Sequence, residues 1–284
     1  MRQLKRNRHL AIFLLLCSFF FSACTGLIGR VSTKEKCIET DGAGKLLLTL
    51  KNQNLDIKTF KGVGKVTLYR DGKKNPSNRI AWIGASPDRL RAVLSSASGQ
   101  PFLSFSCDGR WFYFFDHSQG LFYKRRTNRY VMQKVFSVSI ELDDIISILS
   151  GRIPVRQYHS ACLLKDNFSH QESPTFFQHL SSKAARGKEG KNILVLKGIW
   201  GNIYEKIYLD DNKKDARKIE VFDLDGVLAY RAELSRLQNV NGYRIPAAVV
   251  VSNDEGSGFQ LDVERYWPRA HIEPSIFELL PPKP

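Results

Sequence analysis

The stretch Arg79–Asp116, RIAWIGASPDRLRAVLSSASGQPFLSFSCDGRWFYFFD, restricts this chain to antiparallel β structure more firmly than any other part of it. Ile80 and Trp82 alternate with Ala81 and Ile83, and a turn follows at Ala85–Asp88. Leu90, Ala92 and Leu94 then alternate with Arg89, Arg91 and Val93. After a Ser/Gly loop at Ser95–Gln100, Phe102–Cys107 runs into Asp108-Gly109 and out again as Trp111–Phe115. A period of two predicts consecutive strands. An Asp-Gly pair between two β-rich runs predicts a type I′ hairpin, which needs positive φ at both central residues. The run Trp111–Phe115 is apolar on both pleat faces. It must be covered on both sides, or be covered on one and line a cavity on the other.

Strand signals recur along most of the chain, with helical periods between them. Gly44–Asn54, with Leu46, Leu47, Leu48 and Leu50, reads as an amphipathic helix, and Asp56–Arg70 switches to strand character before a turn at Asp71-Gly72. The meander closes through His117–Gly120 and a short strand Leu121–Arg125. In Ser139–Gly151, Leu142, Ile145, Ile146 and Leu149 sit at i, i+3, i+4 and i+7, the stripe of a short helix ended by Gly151 and Pro154. Val155–Leu164 reads as a strand, and the polar stretch 166–191 as an exposed basic loop with Lys183, Arg186, Lys188 and Lys191. Strands return at 193–200, 203–209, 218–224, 227–234, 244–252 and 259–267, with turns at Asp225-Gly226 and Asn241-Gly242. No internal repeat is evident. A chain of 284 residues can bury a full core as one all-β domain.

The compartment is read from the N-terminus. Met1–His9 is basic, Leu10–Phe21 is apolar and uncharged, and Ser22-Ala23 are small, the order of a secretory signal. Phe21-Ser22-Ala23-Cys24 resembles a bacterial lipobox, in which the cysteine is acylated and becomes the new N-terminus. An ordinary signal peptide and a short uncleaved anchor are the alternatives. Thr25 after the cysteine, instead of Asp, points to the outer membrane under the usual sorting rule. The expected organisation is a signal over 1–23, a lipidated Cys24 and tether over 24–42, and one domain over 43–284. The net charge of +15 favours an anionic partner. Outside the cytoplasm that means membrane or protein, and no nucleic acid is expected. Cys37, Cys107 and Cys162 remain after the signal is removed, an odd number compatible with one disulfide and one buried thiol.

Motifs of catalysis are weak. Val221-Phe222-Asp223-Leu224-Asp225-Gly226-Val227-Leu228 resembles the first motif of haloacid-dehalogenase-type phosphatases, whose chemistry needs a Mg²⁺ ion and a parallel α/β domain. Only antiparallel strand patterns follow it, and a hairpin turn accounts for the same letters. Gly62-Val63-Gly64-Lys65 lies inside a strand and lacks P-loop spacing. The histidines and cysteines show no metal-ligand spacing. No cofactor, no metal and no enzymatic activity are expected.

The chain as a whole resembles the Lol family of lipoprotein carriers and receptors (LolA- and LolB-like proteins) from about Ala43 to Pro281. The resemblance is carried by Phe60-Lys61-Gly62-Val63-Gly64, the Trp82…Pro87 strand and turn, and Ser106-Cys107-Asp108-Gly109 leading to Trp111-Phe112-Tyr113. Leu149-Ser150-Gly151-Arg152-Ile153-Pro154, Ile219–Gly226 and the closing Phe277-Glu278-Leu279-Leu280-Pro281 add to it. It implies a mainly β, α+β fold: a half-open antiparallel β-barrel with a few short helices as lid or plug. It also implies an outer-membrane lipoprotein on the periplasmic face of a Gram-negative cell. Its cavity would hold acyl chains of lipoproteins or phospholipid, exchanged with a periplasmic carrier. Val66, Leu68, Ile80, Trp82, Leu90, Leu94, Phe105, Trp111 and Tyr113 are the candidate lining. The other reading is a structural or interaction lipoprotein whose barrel is filled by its own side chains.

Overall fold

The computed structural model describes residues 41–165 and 192–281. The signal, Cys24, Cys37, the tether and the basic loop lie outside the described residues. The chain divides into Met1–Lys36 and Cys37–Pro284, and all described residues belong to the second unit.

One fourteen-stranded antiparallel sheet carries the fold. Strands β1 (Thr59–Arg70), β2 (Lys73–Lys74), β3 (Asn78–Ala85), β4 (Arg89–Ser95), β5 (Pro101–Asp108), β6 (Trp111–Asp116) and β7 (Leu121–Arg126) form the first meander. The second comprises β8 (Ser160–Lys165), β9 (Asn192–Lys197), β10 (Ile203–Leu209), β11 (Ala216–Phe222), β12 (Leu228–Val240), β13 (Tyr243–Ser252) and β14 (Gly258–Pro268). Their spatial order is β7-β6-β5-β4-β3-β1-β14-β13-β12-β11-β10-β9-β8, with the short β2 paired to β1. The two meanders join where β1 meets β14, from Phe60↔Pro268 to Tyr69↔Gly258. The sheet is open, with edges β7 and β8. Those edges are consecutive in sequence, so the chain between them must travel from one edge of the sheet to the other. It carries α2 (Arg129–Phe136) and α3 (Leu142–Leu149), which pack into the core cluster formed by the strands. A third helix, α1 (Asp41–Asn52), buries Ala43, Leu47 and Leu50 and packs on β8.

The aromatic meander forms as its alternation predicts. Across β1 and β3, Phe60 pairs with Gly84 and Gly62 with Trp82, so each large ring lies over a glycine of the neighbouring strand. A Cβ at Gly62 would overlap the Trp82 indole, and one at Gly84 the Phe60 ring. The ambiguous Gly62-Val63-Gly64 is therefore a packing device, with a bulge against β14 between Val63 and Gly64. The far side of β4 and β5 is covered by the C-terminal segment. Ser106 Oγ donates to the Phe277 carbonyl at 2.6 Å, Arg91 Nη1 donates to the Ile276 carbonyl at 2.8 Å, and Phe277 is buried.

Several expectations are corrected. At Asp108-Gly109 only Gly109 has positive φ, at +94°, so the pair between β5 and β6 is not the type I′ turn expected. The Asp108 carboxylate accepts the Arg110 and Trp111 N–H groups instead of entering the left-handed region. Both residues of Asp71-Gly72 and of Asn241-Gly242 do have positive φ, as a type I′ turn requires. The strand expected over Val155–Leu164 begins only at Ser160, because Arg156 turns inward to a buried carboxylate cluster. Helix α2 was not expected. Of the thiols, Cys107 is free and buried, while Cys162 is disulfide-bonded to a partner outside the described residues.

Gly62→Val places a branched side chain where the Trp82 indole lies. Overpacking of this kind costs about 1–3 kcal/mol. A urea melt is expected to show a lowered midpoint with an unchanged slope; a midpoint equal to that of the parent protein would contradict the packing described.

Candidate functional site

The first meander and the two crossing helices enclose a cavity of about 600 Å³. Its walls are Val66 and Leu68 of β1, Ile80 and Trp82 of β3, Leu90, Ala92 and Leu94 of β4, and Phe105 of β5. Phe112 and Phe114 of β6 and Phe259 and Leu261 of β14 continue them. The lid is Val131, Val135 and Phe136 of α2 with Ile145 and Leu149 of α3. These positions meet because strands alternate and helices repeat: every second residue of each strand faces inward, and Val131/Val135 and Ile145/Leu149 are i, i+4 pairs. Phe136 fixes the lid. Its ring is 5.5 Å from that of Phe105, edge to face, and 5.5 Å from that of Phe259. Contacts of this geometry contribute beyond their buried area.

Of the candidate lining residues, Val66, Leu68, Ile80, Trp82, Leu90, Leu94 and Phe105 are on the cavity wall. Trp111 and Tyr113 are not. They occupy the opposite pleat face from Phe112 and Phe114. The Tyr113 hydroxyl donates to Asp108 Oδ2 at 2.8 Å, and Lys124 Nζ sits 5.0 Å from the centre of the Trp111 ring. The aromatic run is thus covered outside and lines a cavity inside, and Phe112 and Phe114 are among the lining residues that the sequence reading passed over. Helix α2 was missed with them. Its signal was present: Asn128 caps it by accepting the Val131 N–H, and Val131, Met132, Val135 and Phe136 form its apolar stripe.

The described part of the second meander buries aliphatic side chains against its inner face. Leu194, Leu196, Ile207, Leu209, Ile219 and Tyr230 are fully buried there, beside a buried polar cluster that holds α3. Asp144 Oδ2 accepts from Arg156 Nη2 at 2.5 Å and from the Tyr230 hydroxyl at 2.9 Å. Arg156 Nη1 lies 3.0 Å from Glu141 Oε2. The Arg156 backbone N–H donates to Glu205 Oε2 at 3.1 Å, and Glu205 Oε1 has no partner among the described residues. Burial pushes the Glu205 carboxyl up to about 8, and it pushes Asp144 up to about 6 against the pull of Arg156. Anchored from β10 and β12, α3 turns Ile145 and Leu149 to the cavity.

Asp223, the nucleophile of the phosphatase reading, accepts the Asp225 and Val227 N–H groups in the turn between antiparallel β11 and β12. The parallel sheet which that chemistry requires is not the sheet present. Among the described residues no group of three or more His, Cys, Asp or Glu could hold a metal ion, and no helix is long and apolar enough to cross a membrane.

No family model and no curated protein matches the chain. Solved structures do. A LolA superfamily protein from Nitrosomonas europaea superposes with a TM-score of 0.51 at 14% identity, over 84% of this chain and 97% of that one. A DUF1329 family protein from Desulfovibrio piger gives 0.50 at 11% identity, over 84% and 97%. An outer-membrane lipoprotein-sorting protein domain from Vibrio parahaemolyticus gives 0.50 at 10% identity, over 83% and 94%. The chain has a LolA-like fold, an open antiparallel half-barrel plugged by short helices.

The Glu205 carboxyl gives this fold a pH dependence of definite sign. Its folded value is above the ordinary carboxylate value of 4.5, so the folded state binds the extra proton. That stability is present below pH 4.5 and is lost as pH rises towards 8. Glu205→Gln is expected to flatten the fall in thermal midpoint between pH 5 and 8 and to be the more stable form at about pH 8. An unchanged slope would show that Glu205 is not protonated in the fold.

Proposed function

We propose that this protein is a lipid-binding lipoprotein of the bacterial outer membrane, held at the periplasmic face by an acylated Cys24. In this reading its half-barrel accepts acyl chains of lipoproteins or phospholipid from a periplasmic carrier, and it acts by binding, without catalysis. The observation that carries the reading is the cavity of about 600 Å³, walled by Leu, Ile, Val and Phe and closed by α2 and α3. Its volume lies in the ~300–1,000 Å³ range of small-molecule sites. A barrel filled by its own side chains would leave no such space. One of the structural neighbours is described as an outer-membrane lipoprotein-sorting protein domain, which agrees with the reading.

The energetics are adequate. Each methylene moved from water into the cavity contributes about 0.8 kcal/mol, so a dozen contribute on the order of 10 kcal/mol before the cost of association. Transfer between two such cavities exchanges one apolar environment for another and needs no other energy source. Release requires the lid to move, and Phe136, wedged between Phe105 and Phe259, is the contact that must break.

Leu68 and Ile80 line the cavity and are only half-buried, so charge placed there reaches the ligand without breaking the core. Leu68→Glu and Ile80→Glu are each expected to weaken displacement of a hydrophobic dye by long-chain fatty acid at least tenfold, with thermal unfolding still cooperative. Unchanged displacement in both folded variants would refute the cavity as the acyl site.

A further inference from the structure

The cavity lining is mostly apolar, and two cations stand in it, Arg125 of β7 and Lys134 of α2. Arg125 pairs in register with Phe112 and so shares its inward face, yet it remains exposed, as does Lys134. Exposed residues on a cavity lining mark its mouth. Neither cation forms an ion pair with a carboxylate among the described residues. Lys134 instead lies 4.6 Å from the centre of the Tyr130 ring. Residues 117–140, which contribute β7 and α2, include Lys124, Arg125, Arg126, Arg129 and Lys134 and no Asp or Glu.

An occupant whose tail fills the cavity and whose head closes the mouth must strip water from these two cations. A neutral head leaves them desolvated without a partner, which is costly. An anionic head restores what is lost, since a guanidinium forks onto phosphate or carboxylate oxygens and the lysine supplies a further charge. We infer that the cavity selects anionic amphiphiles: an acyl chain in the apolar interior and an acidic phosphate or carboxylate head at Arg125 and Lys134. This rests on the cavity being the acyl site and adds which class of lipid it prefers.

A plainer role exists for Arg125. β7 is an edge strand, and an inward-pointing charge protects an edge against pairing with another chain. Edge protection does not explain Lys134, which sits on the lid helix α2 and not on the edge strand.

The test uses the full chain carrying Cys24→Ala and displacement of a neutral hydrophobic dye. The competitors are lysophosphatidic acid, the monoacylglycerol with the same chain, and inorganic phosphate. Lysophosphatidic acid is expected to displace the dye at roughly tenfold lower concentration than the monoacylglycerol, the size of one charge-assisted hydrogen bond. The gap should narrow as salt is raised. In the double variant Arg125→Gln, Lys134→Gln the ratio should fall towards one, with dye binding and the monoacylglycerol midpoint unchanged. Equal midpoints in the parent protein would overturn the inference and leave the acyl site standing. A double variant that keeps the ratio, or that self-associates while keeping it, assigns the cations to edge protection and overturns it too. Heat of phosphate binding as strong as that of lysophosphatidic acid would indicate an anion site independent of any chain, also against it. If neither lipid displaces the dye, the acyl site itself fails and the inference with it.

Discussion

The arrangement depends on one topological constraint. The two edges of the sheet, β7 and β8, are neighbours in sequence and lie at opposite ends of a thirteen-strand path. Their connection must cross the molecule, and its apolar residues are buried only if it crosses the inner face. Helices α2 and α3 are that crossing. The sheet stays open between β7 and β8, and the helices complete the core.

The two halves of the half-barrel then differ for chemical reasons. Under the second meander, Asp144, Arg156, Tyr230 and Glu205 tie α3 to β10 and β12, and aliphatic side chains close around them. Removing one member of such a buried cluster leaves a charge without its partner, so α3 has little freedom on that side. Under the first meander the lid has no polar tie of this kind among the described residues. It is held by ring contacts at Phe136 and by aliphatic packing, which need no buried charge to be paired when they reform. One helix is thus pinned, and among the described residues its neighbour is held by apolar contact. An apolar cavity beneath the apolar contact is what a reversible lipid site requires.

Much of this was legible in the sequence, for reasons that particular residues make plain. The period-two runs around Trp82, Leu90 and Phe105 gave the first meander and most of its inward face, since a strand side chain has only two directions to take. The choice of face for Trp111–Phe115 was not legible. Both faces of that run are apolar, and the C-terminal segment that covers Ser106 and Tyr113 arrives from some 170 residues away. Helix α2 is only eight residues long and bears a single full apolar turn, too short a period to stand out between a basic strand and a stronger helix. The Asp108 turn departs from type I′ at Asp108, whose side chain accepts the Arg110 and Trp111 N–H groups, a local bond that the Asp-Gly pattern does not reveal. The inward placement of Arg125 follows only from register with Phe112, which no local pattern reveals.

The central claim is that the cavity carries lipid in the cell envelope. Native mass spectrometry of the full-length protein carrying Cys24→Ala, released gently from a periplasmic extract, tests it most directly. The account predicts a mass above that of the chain by one acyl-bearing lipid, and its loss when Phe114 of the cavity wall is replaced by Glu in a protein that still unfolds cooperatively. A bare chain mass from the same extract, unchanged after incubation with envelope lipids, would contradict it.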